Sequence, residues 1–85
     1  METRVAAIGI VVEDTTSVEQ LNSILHEYAP FIVGRMGVPY RQRGISIITV
    51  AVDAPADAIN SLSGKLGALP GVNVKVAYSG KCFEE

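Results

Sequence analysis

Few of the residues that most often carry chemistry are present in this 85-residue chain, which has one cysteine and one histidine. The lone Cys82 excludes a disulfide within the chain and suits a reducing compartment, so a cytoplasmic protein is expected. One histidine and one cysteine give no zinc or nickel spacing, and no metal site or named cofactor follows from the sequence. Long apolar runs are also lacking. Val5 to Val12 is closed off by Arg4 and Glu13, too short for a bilayer, and no basic segment precedes it, so neither a membrane span nor a signal peptide is expected. A formal net charge of −2 gives no general attraction to nucleic acid.

The familiar catalytic motifs are missing too. Gly64-Lys65 lacks both the earlier glycine of a phosphate loop and the hydroxyl residue that should follow its lysine, where Leu66 stands. No glycine-flanked nucleophile elbow appears, and His26 falls on the polar side of a predicted helix. An acylphosphatase-type phosphate cradle would need a glycine-rich first loop where this chain has Glu13-Asp14-Thr15-Thr16. A protein that is not an enzyme is expected.

Two stretches, Val5 to Val12 and Ile45 to Val52, are instead apolar on both alternating faces. Successive side chains of a strand point to opposite sides, so each needs cover on both. Two short helices cover one face of a small sheet. The other face therefore calls for a partner, and a second copy of the chain in a homodimer or homotetramer is the simplest one.

The order of elements follows from periodicity. Residues 4–13 read as a strand, and a helix follows, with Thr16 or Ser17 as its cap and Val18, Leu21, Ile24, Leu25 and Tyr28 as its apolar stripe. Pro30 ends it, Phe31 to Met36 is a second strand, and Gly37 to Gly44 is a turn. Ile45 to Asp53 is a third, central strand. Pro55 opens a second helix with stripe Ile59, Leu62 and Leu66, and Gly67 is its expected left-handed stop. Val72 to Tyr78 is an edge strand, and residues 79–85 are expected to fray. The βαββαβ order predicts one α+β ferredoxin-like sandwich over residues 1–85. Its antiparallel sheet would run 4-1-3-2, with both helices on one face. ACT-type and nickel-regulator-type domains share this plan.

Gly34 to Gly44 is the most unusual segment, holding Arg35, Arg41 and Arg43. Arginine forks suit carboxylate or phosphate and Tyr40 offers a stacking face, so a small anionic ligand fits. Alternatively the arginines are solvated, or pair with acidic residues of a neighbouring subunit. Glu13, Asp14 and Thr15 form the loop where ACT-like domains hold amino acids. Without glycine and with two carboxylates, this loop would repel an amino-acid carboxylate and disfavour a cation or an amine less, or it simply caps its helix.

Ile8-Gly9-Ile10-Val11-Val12-Glu13-Asp14, Leu25-His26-Glu27-Tyr28, Ile32 to Arg41, Gly64-Lys65-Leu66-Gly67 and Leu69-Pro70-Gly71-Val72 together make the chain resemble a family of short proteins named iron-only hydrogenase system regulators. The resemblance spans nearly the whole length. It implies an ACT-like fold; together with the two-faced strands and the arginine-rich turn, it leads to the expectation of a regulatory module that binds a small-molecule effector, or a protein of the hydrogenase system, between subunits. The chain has no room for an amino-terminal ribbon-helix-helix and lacks a nickel-binding histidine cluster, so direct contact with nucleic acid is not expected. The other readings are a metal-responsive transcriptional regulator without its own DNA-binding domain, and a purely structural assembly factor.

Overall fold

The computed structural model describes residues 1–84. Six principal elements follow in order: β1 (Glu2–Val12), α1 (Val18–Glu27), β2 (Ile32–Tyr40), β3 (Ile45–Ala54), α2 (Ala56–Gly67) and β4 (Val72–Glu84). The sheet order is β2-β3-β1-β4, with every neighbouring pair antiparallel. This is the ferredoxin-like arrangement expected from the sequence, with the two most apolar strands at the centre.

The core lies between the sheet and the helices. Ala6, Ile8, Ile10 and Val12 of β1 and Ile48, Val50, Val52 and Ala54 of β3 are buried against Leu21, Leu25, Ile59, Leu62 and Leu66. Both predicted stripes are therefore the faces that pack, since residues three and four apart share one side of a helix. On the other side of the sheet, cross-strand partners form rows: Val38, Ile47, Val11 and Asn73, then Met36, Thr49, Gly9 and Lys75. Met36 is 65% exposed, Val38 48%, Ile47 43% and Val11 36%. No helix covers these side chains.

Several local expectations give way to other contacts. Residues 79–84 do not fray but form the second half of β4, with Phe83 opposite Thr3 and Glu84 opposite Glu2; Glu85 lies outside the described residues. The register shifts between Arg4 and Ala6, placing Ser79-Gly80-Lys81 in a bulge that lets the strand continue. Arg4 clamps it by donating to the Ser79 carbonyl at 2.9 Å and lying 5.0 Å from the Tyr78 ring centre. Strand β2 runs to Tyr40, leaving a turn of only Arg41–Arg43 and Gly44.

The expected helix signals also shift. Asp14, rather than Thr16 or Ser17, caps the 3-10 turn Thr15–Ser17 that leads into α1. The Ser17 hydroxyl instead donates to the Pro70 carbonyl at 2.7 Å. Gly67 is the last residue of α2, and the left-handed glycines are Gly44 and Gly71. No helix among the described residues is long and apolar enough to cross a membrane.

Candidate functional site

Antiparallel pairing decides which loops meet. Val12, at the end of β1, is opposite Ser46 at the start of β3 and Val72 at the start of β4. The loop after β1 and the turn between β2 and β3 consequently share one end of the sheet. Glu13, Asp14, Thr15, Tyr40, Arg41 and Arg43 are thus brought to one end of the domain, as candidates separated in sequence must be to form a site.

Arg35 is not with them. It lies opposite Val50, on the helical side of β2, where its guanidinium donates to Asn22 Oδ1 at 3.1 Å. Tyr40 is opposite Ile45 on the uncovered side and is 41% exposed. Alternation alone separates the two once β2 is a continuous strand.

The charges at the shared end are partly engaged. Asp14 Oδ1 accepts from the Thr16 hydroxyl at 2.6 Å and from the Thr16 amide at 3.0 Å. Those two bonds, the hydroxyl first, hold the Asp14 carboxyl below its ordinary pKa. Glu13 accepts from the Asn73 side-chain amide at 2.8 Å. Arg41 and Arg43 are exposed and form no ion pair among the described residues. This end therefore presents two free guanidinium forks beside two carboxylates already held by neutral donors. Mixed charges bordering an apolar face are suited to fixing the register of a protein contact.

Two features at this level were not singled out from sequence. Asn22 and His26 are one helical turn apart on α1 and face Arg35 across a groove. Their spacing was visible, but only the sheet shows which residue stands opposite. At the other end, Thr3 is 4% exposed and its hydroxyl has no partner among the described residues; one Asp53 carboxylate oxygen is likewise buried without one. Among the described residues no three of histidine, cysteine, aspartate and glutamate gather as metal ligands. Cys82 is exposed on β4, and His26 is exposed in the last turn of α1.

Comparison with known proteins adds to this geometry. The TM1266-like family model, described as "Iron-only hydrogenase system regulator, putative", matches residues 4–76. The structure of the uncharacterized protein TM1266 from Thermotoga maritima is 35% identical, covers 89% of this chain and 96% of that one, and superposes with a TM-score of 0.85. The ACT domain of GTP pyrophosphokinase from Chlorobium tepidum is 21% identical over 93% of this chain and 89% of that one, with a TM-score of 0.68. A formyltetrahydrofolate deformylase from Pseudomonas putida KT2440 has a TM-score of 0.62 at 15% identity, over 86% of this chain but 28% of that one. The latter two share the fold alone. No curated protein matches the chain.

Proposed function

The chain belongs to the TM1266-like family of iron-only hydrogenase system regulators, and from that premise we propose that it is a non-enzymatic, cytoplasmic regulatory module that self-associates through its uncovered sheet face. A small effector or a protein of the hydrogenase system binds at the subunit boundary. The observation that carries this reading is the run of exposed apolar side chains across three strands, Met36, Val38, Ile47 and Val11, bordered by a charged end. An apolar patch rimmed by polar groups marks an interaction surface. The same face on a second copy offers matching chemistry without any further partner, as two-fold assemblies require.

Tyr40, Arg41 and Arg43, with Glu13, Asp14 and Thr15, form the proposed boundary site, and Arg35 makes a separate contact. Native mass spectrometry of protein purified without oxygen tests the assembly and the retention of ligand together. A dimer or tetramer is expected, and a monomer overturns the self-association. Replacing Arg41 and Arg43 together by alanine should weaken effector or partner binding while leaving the oligomer intact. Unchanged binding removes the turn from the site.

A further inference from the structure

Two adjoining cavities run along the helical side of β2, of about 350 and 190 Å³, and both are lined by Asn22 and Arg35. They exist because α1 buries Leu21 and Leu25 over the central strands, leaving β2 exposed beyond Ile32. Leu25 and Ile48 form a buried apolar floor, and Ile32 forms part of the wall. Asn22 and His26 rise from successive turns of α1, opposite Arg35.

The polar groups of this groove all suit an anion. The Arg35–Asn22 bond uses one guanidinium nitrogen as donor and the amide oxygen as acceptor. It thereby leaves the rest of the guanidinium fork, and the Asn22 amide nitrogen, to donate elsewhere. Among the described residues no carboxylate lines either cavity. At the turn, by contrast, Glu13 and Asp14 share the end of the sheet with Arg41 and Arg43 and oppose a bound anion.

We propose that the α1–β2 groove binds a small organic carboxylate with a short apolar body. The carboxylate sits on Arg35, flanked by Asn22 and His26, and the body packs on Leu25 and Ile32. Such pockets are mostly apolar with a few placed polar groups that fix orientation. The site lies on the helical side of the sheet, so it does not depend on self-association through the uncovered face.

The test is a titration of the full-length, nitrogen-15-labelled protein with isocaproate, followed by amide shifts. Saturable shifts at millimolar concentration are expected at Asn22, His26 and Arg35. Isocaproamide, with the same body and no charge, should bind at least tenfold more weakly, as should isocaproate to Arg35→Gln. Arg35→Lys keeps the charge but loses the fork, and should fall between Arg35→Gln and the native protein. Arg41→Gln with Arg43→Gln should leave isocaproate binding unchanged.

The groove is overturned by absence of saturable shifts, by equal binding of isocaproamide, or by unchanged binding to Arg35→Gln. Inorganic phosphate binding as tightly as isocaproate overturns the apolar half of the site. Groove signals that follow protein concentration instead of ligand would show that a second copy covers it, and would also overturn the proposal. Only that last result concerns self-association; the others leave the stoichiometry measured by native mass spectrometry untouched, so the two readings can fail independently.

Discussion

Gly71 packs so closely on Asp14 that a Cβ at this glycine would lie 2.5 Å from Asp14 Cβ and 2.8 Å from the Asp14 amide nitrogen. The contact joins the loop before β4 to the loop after β1, and the Glu13 amide donates to the Gly71 carbonyl at 2.7 Å beside it. Gly71 also has a φ of +68°, which side-chain-bearing residues rarely adopt.

Gly71→Ala is therefore expected to destabilise the fold by about 3 kcal/mol or more, combining left-handed strain with overpacking against backbone. Gly44 has nearly the same φ, +67°, but open space around it, so Gly44→Ala should cost only about 1–2 kcal/mol. Urea unfolding of both variants separates the two causes. Equal losses would show that the approach to Asp14 is not limiting.

Ser17 is 2% exposed, and its hydroxyl is committed to the Pro70 carbonyl. Ser17→Ala removes a buried donor and leaves that carbonyl without this bond, at a cost of about 1–3 kcal/mol. The midpoint of urea unfolding reads this directly, and an unchanged midpoint rules out a stabilising role for the bond.

Thr3 should behave in the opposite way. Its buried hydroxyl has no partner among the described residues, so Thr3→Val keeps the shape while removing an unpaired polar group. Stabilisation by about 1 kcal/mol is expected, and a lower thermal midpoint would mean that the hydroxyl is paired in solution.

The Asp14 cap makes part of the stability depend on pH. Its folded pKa is depressed by the Thr16 hydroxyl and amide. The contribution is therefore present above the carboxyl's unfolded pKa and lost as pH falls through the folded value. The stability gap between the native protein and Asp14→Ala should hold near neutral pH and close on acidification below about pH 4, the ordinary carboxylate range. A gap that does not vary with pH would place the effect elsewhere.

Ile47 is at the middle of the uncovered face, between Val38 and Val11. Ile47→Asp places a charge where a second copy would exclude water, and sedimentation should show conversion to monomer with little change in helical signal. Full burial of such a side chain contributes about 1.5–3 kcal/mol in each protomer. An intact oligomer in this variant would move the interface to another surface.

Much of the fold was legible because periodicity is a local record of burial. Leu21, Leu25, Ile59, Leu62 and Leu66 repeat at helical spacing, and Val5 to Val12 is apolar on both parities, which placed β1 at the centre. The second half of β4 was not legible. Ser79 to Glu84 has no alternating apolar pattern, and its strand geometry comes from backbone pairing with Glu2 to Arg4 across a bulge. Gly67 does end α2, and the chain turns at Leu69-Pro70-Gly71 as the residue types suggest, but the left-handed glycine is Gly71, where a side chain would meet Asp14.

The candidate site divides in the same way. Arginine content singled out Gly34 to Gly44, but reading Gly37 to Gly44 as a turn hid the alternation that sends Arg35 and Tyr40 to opposite faces. His26 stood out only as the one histidine, and neither it nor Asn22 could be placed opposite Arg35 until β2 was set beside α1.

By itself, then, the sequence determined the order of elements, the two helix faces that pack, and the apolar character of the second sheet face. Each is written in the spacing of apolar residues along the chain. Only the tertiary structure decided the left-handed glycine, the partner of Ser17, the length of β4 and the separation of Arg35 from the other arginines. These depend on residues distant in sequence whose approach is set by strand pairing and close packing, which no local pattern encodes.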